Sequence, residues 1–334
     1  YPRNFRAARR LAPSLQSTVR PGTFGTSLTE ASCRGVTHEP AIASAGIERL
    51  PACSHSSYTR RRTQAQPPGA PVRPTAMPLN TIGQSSFPPG PHAPGHPTTW
   101  RAAVKLDPAR PLDAARLESV AQAQPDAIIV GGTQDVQAPA VTELLERLQP
   151  LRRCGVALAY EPSEPALVDA GLLDWLLVPV VLNAKDVEWL VGRHTRTVQS
   201  FAHLVDLLDW SRIVSEAYIV QNPASAVARR TGALPLSSAE AAALALVAER
   251  LWSFPIVYLE WSGRYGDADL VRIVATRLAR ARLFYGGGIA SPEQALAMRA
   301  AGAATIVVGN LVYSPEYWRL PAVIDVARRE PAVP

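Results

Sequence analysis

From Trp100 onward the chain alternates short, wholly apolar runs with longer segments whose apolar residues recur every three or four positions. The runs predict strands at Ala102–Leu106, Ala127–Val130, Val156–Ala159, Trp175–Pro179, Ile213–Val220, Ile256–Glu260, Leu283–Gly286 and Thr305–Gly309. Stretches such as DAIIVGG and ATIVVGN are apolar on both faces, as strands covered on both sides must be. The helical period predicts helices over Leu112–Ala123, Ala138–Leu148, Ala184–Arg193, Ser238–Trp252, Asp267–Ala281, Pro292–Ala301 and Pro315–Ala327. One of them opens on Ser291-Pro292-Glu293, with proline at the first helical position. After the third strand, Glu161-Pro162-Ser163-Glu164-Pro165 breaks any helix and predicts a loop or a single turn. Eight strands with mostly helical crossovers over roughly 230 residues predict the α/β class and a single (β/α)8 TIM barrel over residues 99–330. An open doubly wound sheet is the alternative, but it usually shows a GxGxxG near its start, and none is present there.

Residues 1–98 read differently. They hold 15 of the 31 prolines, 11 Lys and Arg and only 3 Asp and Glu, and they end in FPPGPHAPGHP. No apolar period is sustained there, so a disordered Pro/Arg/Ser-rich tail is expected. Three readings of it compete: a basic arm for nucleic acid or anionic lipid built on Arg60-Arg61-Arg62, a transit-type targeting peptide, or sequence foreign to the natural protein. The third is preferred, with the natural start at or after Met77, and no function is placed on the tail. The net +6 is thus +8 from the tail and −2 from the rest, so the barrel itself is not expected to bind nucleic acid.

Cys33, Cys53 and Cys154 include no CxxC pair, which excludes a disulfide framework and a cysteine zinc site. Cys154 is expected to be a small core residue, and a reducing, cytoplasmic compartment is expected. Beyond the tail only His194 and His203 remain, too few for chemistry built on several histidines. No apolar run reaches the ~18 residues of a spanning helix, so membrane contact is expected to be at most peripheral, at the inner surface.

Barrel active sites lie at the C-terminal ends of the strands, and here those ends are polar or glycine-rich. Gly286-Gly287-Gly288 follows the seventh strand and Gly309-Asn310 the eighth, where barrels often hold a phosphate on backbone N–H groups. Lys105 and Asp107 share one side of the first strand end, and Thr133 lies at the neighbouring mouth. A carboxylate and a hydroxyl suit an Mg²⁺ that keeps waters and bridges phosphate oxygens, with Lys105 as a point charge. In Tyr258-Leu259-Glu260-Trp261-Ser262-Gly263, alternation points Tyr258, Glu260 and Ser262 one way, and Glu260 suits a hydrogen bond to, or a proton from, a polyol hydroxyl.

These segments together resemble the heptaprenylglyceryl phosphate and geranylgeranylglyceryl phosphate synthase family. The resemblance rests on VKLDP, DAIIVGGT, VPVVLNAKDVEWLVGRH, IVSEAYIVQNP, FPIVYLEWSGRYGD, LFYGGGIASPEQA and TIVVGNLVY, in that order over residues 100–328. It implies a magnesium-dependent prenyltransferase, usually a homodimer, taking sn-glycerol-1-phosphate and a long prenyl diphosphate as substrates. By the resemblance Lys105 binds the glycerol phosphate and Asp107 and Thr133 hold Mg²⁺. Tyr258, Leu259, Glu260, Trp261, Ser262, Gly263, Gly288, Gly309 and Asn310 bind the rest of that acceptor. Lys105 and Glu260 are the catalytic candidates, through charge on the leaving diphosphate and orientation of the attacking 3-hydroxyl. The segment Val187–Phe201 would line a prenyl groove, with Tyr218 beside the developing cation. Thr197, small where archaeal relatives carry a bulky aromatic, favours a heptaprenyl donor over geranylgeranyl. Two departures stand out: Ala217 replaces a usual Gly, and the third strand reads ALAYEP where relatives carry Leu-Glu, which leaves open whether Glu161 is that glutamate. A phosphosugar isomerase, with Asp107 opposed to Glu216 or Glu260, and a non-catalytic binder of phosphorylated lipid precursors are the rival readings.

Overall fold

The structure, a computed structural model, describes residues 95–132, 136–163, 168–203 and 208–329. Eight parallel strands close into a barrel in chain order. They are β1 (Ala102–Leu106), β2 (Ala127–Val130), β3 (Ala157–Tyr160), β4 (Trp175–Val181), β5 (Ile213–Val220), β6 (Ile256–Glu260), β7 (Arg282–Gly286) and β8 (Thr305–Val308). The seam between β8 and β1 sets Val307 opposite Ala103 and Val308 opposite Val104. This is the TIM barrel that the alternating pattern predicts. The expected tail and Thr133 lie outside the described residues.

Alternation along the strands divides the apolar residues into two shells. Inside the barrel, Ala103, Ala127, Ala157 and Ala159 on β1–β3 face Tyr218, Tyr258 and Phe284 on β5–β7, with Trp100 also packed within. Small residues on one wall make room for rings on the other, which fills the narrow interior. The second shell, with Val104, Ile128, Leu158, Ile219, Leu259 and Ile306, packs outward against the helices. Ala217 belongs to that outer shell, so this departure from the family pattern faces helices and not the barrel interior.

The helices are α1 (Ala114–Ala123), α2 (Ala138–Arg153), α3 (Gly192–Ser200), α4 (Ala226–Thr231), α5 (Ser238–Arg250), α6 (Ala268–Ala275), α7 (Pro292–Ala300) and α8 (Leu320–Arg328). Side chains start several of them: Asp113 accepts from Arg116 N, and Ser237 with Glu240 forms a reciprocal capping box. The helix expected at Ala184–Arg193 is displaced. Asp186 instead caps a 3₁₀ turn, Val187–Trp189, and the α-helix begins at Gly192. Cys154 is exposed rather than in the core, because α2 runs on to Arg153 and leaves Cys154 as its C-cap. The expected loop or single turn between β3 and β4 contains one 3₁₀ turn, Ala170–Leu172. With no helix described there, Leu176, Val178 and Val180 on the outer face of β4 stay only half-buried.

The helix expected to reach Ala281 stops at Ala275. Glu249, 1% exposed, explains where the chain goes next. Its Oε1 accepts from the N–H groups of Ala279, Arg280 and Ala281 at 2.8, 2.6 and 2.8 Å. Burial works to raise the pKa of this carboxyl, but the three amides together lower it below the ordinary value. Glu249→Ala should therefore cost about 2–4 kcal/mol of stability at pH 7, by stranding those buried donors. A depressed folded pKa stabilises above the unfolded value, so the difference from wild type should shrink as pH falls below about 4. Thermal melts at pH 7 and pH 3.5 check both points, and equal melting temperatures at pH 7 would contradict them.

Candidate active site

The C-terminal ends of the strands open on a cavity of about 1020 Å³. Lys105, Asp107, Tyr258, Glu260, Ser262, Gly263, Gly288, Gly309 and Asn310 all line it, together with Tyr218 and Thr197. Residues far apart in the chain thus meet at one mouth, because strand parity sends the strand-end positions inward or upward. Leu259 and Trp261 belong to the outer shell, 0% and 6% exposed. Neither lines the cavity; the Trp261 side chain lies beneath Gly287, where a Cβ would meet it at 2.3 Å.

At the base of the mouth, Lys105 Nζ donates to Glu161 Oε1 at 2.5 Å, and Tyr218 Oη donates to Glu161 Oε2 at 2.7 Å. Lys105 also lies 3.4 Å from the Tyr218 hydroxyl. Tyr218 in turn stacks on Tyr258, with centroids 4.4 Å apart and 16° between planes. Burial acts against the charge of Lys105, but Glu161 beside it holds its pKa above the ordinary value. Burial, reinforced by Glu161, pushes both tyrosine hydroxyls well up, so they stay protonated. Glu161 is thus the cavity-facing acid of the third strand: two residues beyond Ala159, it keeps the same parity. Tyr218 sits at this polar end, beside Lys105, and Thr197 on α3 at the other end of the cavity.

Glu260 is 4% exposed. Its Oε1 accepts from Ser262 N at 2.8 Å, and Oε2 has no partner among the described residues. Burial raises its pKa, which brings it nearer to the range of a general base. Ser262 is fixed by Asn222, whose Nδ2 donates to its carbonyl at 2.6 Å. Asn222 was not among the sequence candidates, although continuing the parity of β5 past Val220 places it at the same mouth. Glu216, fully buried on β5, does not line the cavity, and neither of its oxygens has a partner among the described residues. Burial, then the charge of Glu161, pushes its pKa well above the ordinary carboxyl value. That leaves Asp107 without Glu216 as an opposed acid–base partner across the mouth.

The two glycine turns differ. Gly288 has φ +56° and an added Cβ would meet Tyr265 N at 2.1 Å, so backbone shape alone demands glycine. Gly309 has φ −116°, and a Cβ there would touch only Lys105, at 3.6–3.8 Å. Neither strain nor crowding explains it; what its missing side chain leaves is open space above Lys105. The N–H groups of Gly288, Gly309 and Asn310 donate to no protein group among the described residues. Asp107 stands beside them, with Oδ1 accepting from Ala109 N at 3.0 Å and its carboxylate packed where a Gly132 side chain would stand.

Away from this mouth the cavity turns apolar. Leu176 and Val178 of β4, Ile213 of β5, and Trp189, Val198 and Phe201 around α3 line a groove, over the strand face that the 3₁₀ crossover leaves uncovered. Thr197 lies on this wall, its hydroxyl donated to Arg193 O at 2.9 Å.

Fold and site together define a (β/α)8 barrel whose strand ends join a polar mouth to an apolar groove. The PcrB family model matches residues 96–327, and the chain belongs to that family. It is 44% identical over 218 residues to geranylgeranylglyceryl phosphate synthase of Methanoculleus marisnigri, covering 64% of this chain and 91% of that protein. It is 42% identical over 215 residues to heptaprenylglyceryl phosphate synthase of Geobacillus kaustophilus, covering 64% and 87%. Among solved structures it is similar to (S)-3-O-geranylgeranylglyceryl phosphate synthase from Thermoplasma acidophilum in complex with sn-glycerol-1-phosphate. That likeness has a TM-score of 0.59 at 25% identity, over 68% of this chain and 92% of the other.

Proposed function

We propose that this protein transfers a prenyl group from its diphosphate to the 3-hydroxyl of sn-glycerol-1-phosphate, and that the donor is heptaprenyl. The observation that carries the reading is the single cavity joining Lys105, Asp107, Glu260 and the Gly288/Gly309 turns to an apolar groove. The names of the relatives support the reaction type, and the sn-glycerol-1-phosphate bound in the Thermoplasma acidophilum structure supports the acceptor. Both donor lengths occur among those names, so the heptaprenyl choice rests on Thr197 alone.

In this reading the acceptor phosphate lies against the N–H groups of Gly288, Gly309 and Asn310, and its polyol reaches Glu260 and Ser262. Asp107, a carboxylate at the cavity wall, suits a divalent cation and would hold Mg²⁺, with Thr133 as the expected second ligand. When bound, it would offset charge on the diphosphate. Lys105 adds a second positive charge there. The allylic C–O bond breaks and its electron pair leaves with the diphosphate. The acceptor O3 forms the new C–O bond and its proton passes to Glu260 Oε2. The stacked faces of Tyr218 and Tyr258 border the reacting carbon and favour positive charge. The reading includes a cytoplasmic homodimer with at most peripheral membrane contact. Exposed Leu251 and Trp252 beside α5 suit self-association. Among the described residues no helix is long and apolar enough to cross a membrane.

Incubating the full chain with Mg²⁺, sn-glycerol-1-phosphate and geranylgeranyl or heptaprenyl diphosphate tests the reading by mass spectrometry of the lipid product. A heptaprenyl ether is expected; no ether with either donor would remove it. Thr197→Phe should lower kcat/KM for the heptaprenyl donor by about tenfold or more and spare the geranylgeranyl donor. Equal loss with both donors would show that Thr197 does not measure chain length.

A further inference from the structure

The charges at the mouth do not balance for two phosphorylated substrates. Lys105 is already paired with Glu161 at 2.5 Å. Asp107 and Glu260 add negative charge beside it. Among the arginines that line the cavity, three are committed at the groove end. Arg193 pairs with Glu188 at 3.6 Å, Arg212 donates to the carbonyls of Leu173 and Asp174, and Arg230 lies 5.7 Å over Trp189. Arg110 is the remaining one. It follows the β1 end, lines the cavity, and has no carboxylate within salt-bridge distance among the described residues.

Its placement is prepared by a neighbour. The Arg110 guanidinium lies over the Tyr313 ring, 3.8 Å from the centroid. The Tyr313 hydroxyl accepts from Asp107 N at 2.8 Å and donates to Asp107 O at 3.2 Å, which bolts that ring to the β1 loop. From there Arg110 Nη1 reaches Asn310 Oδ1 at 3.4 Å, across the turn whose backbone N–H groups are unengaged. A guanidinium has five donors in a planar fork, and this long contact occupies one.

We propose that Arg110 is a phosphate-binding residue of the acceptor site, closing over the Gly309–Asn310 turn to grip the phosphate of sn-glycerol-1-phosphate. The inference rests on the transfer reaction proposed above. Contact with Tyr313 holds the guanidinium in place before the ligand arrives, so little side-chain freedom is lost on binding. Lys105, held by Glu161, stays available to the reacting end of the mouth.

The test is calorimetric titration of the full-length chain with sn-glycerol-1-phosphate alone and with inorganic phosphate, for wild type, Arg110→Ala and Arg110→Lys. Arg110→Ala should weaken both ligands about thirtyfold, as loss of a charged hydrogen-bonding group does, with the melting temperature unchanged because the side chain is exposed. Arg110→Lys should recover only part of the loss, since an ammonium offers no planar fork. In turnover, KM for the acceptor should rise by the same factor while KM for the prenyl diphosphate stays within twofold. Wild-type affinity in Arg110→Ala, or a loss confined to the prenyl diphosphate, would overturn the proposal. If wild type binds inorganic phosphate but not sn-glycerol-1-phosphate, and Arg110→Ala loses the phosphate, the transfer reading falls while Arg110 stands as a phosphate ligand. Binding of neither by wild type removes both.

Discussion

Asp107→Asn should reduce prenyl transfer by about three orders of magnitude or more, with the folding transition left in place. The asymmetry follows from what the side chain touches. Among the described residues its carboxylate has one hydrogen bond, the Oδ1 contact with Ala109 N, which an asparagine oxygen can also accept. The packing against Gly132 depends on shape, which the amide preserves. What disappears is the negative charge that would hold Mg²⁺ at the donor diphosphate. The melting temperature should therefore shift by an amount equivalent to less than about 0.5 kcal/mol. Parallel measurement of product formation and thermal unfolding checks this. A large loss of stability, with residual turnover in proportion to folded protein, would make Asp107 a structural residue of the β1 loop.

The second large effect separates the two glycine turns. Gly288→Ala places a methyl 2.1 Å from Tyr265 N on a residue with φ +56°, and something in the backbone must move. A cost of about 2–4 kcal/mol in folding stability is expected, with acceptor binding lost along with the turn. Gly309→Ala meets ordinary contact distances at an ordinary φ, so the fold should be indifferent. Its methyl would occupy the space above Lys105 where the acceptor lies in our reading, and KM for sn-glycerol-1-phosphate should rise about tenfold or more. Denaturant unfolding and acceptor titration of both variants read the two effects. Gly309→Ala with wild-type acceptor KM would mean that this space is not used.

The barrel was legible because its strands carry apolar residues on both faces, and few folds cover eight such strands. β1, β2, β5 and β6 lie at the bounds that the apolar runs predict, whereas β3 is shifted by one residue and β4 runs on to Val181. The failures fall where local side-chain hydrogen bonds, invisible to periodicity, decide the path. Asp186 bends the chain into a 3₁₀ turn inside what looks like a helix, and Glu249 draws Ala279–Ala281 out of one. α4 was missed because six residues show less than two turns of period; Ser225 and Gly232 define it instead.

The candidate site was readable wherever it lies on a strand end, since parity alone places Lys105, Tyr218, Tyr258 and Glu260 inward. It was less readable at partners contributed by loops. Arg110 and Tyr313 are separated by 203 positions, and only the closure of β8 onto β1 brings the ring beneath the guanidinium. Parity places Glu161 inward, but its pairing with Lys105 across the mouth became visible only in the structure. Leu259 and Trp261 entered the expected site as members of a contiguous segment, and alternation turns their side chains to the outer shell.

The central claim is that one mouth, between the Gly288 and Gly309 turns and Glu260, holds a polyol phosphate. Calorimetric titration of the full-length wild-type chain with sn-glycerol-1-phosphate, in the absence of any prenyl diphosphate, tests it most directly. Saturable binding of one ligand per chain is expected, weakened by Gly309→Ala and unaffected by Glu249→Ala at a temperature where that variant remains folded. Absence of saturable heat, or binding that Gly309→Ala leaves untouched, would contradict it.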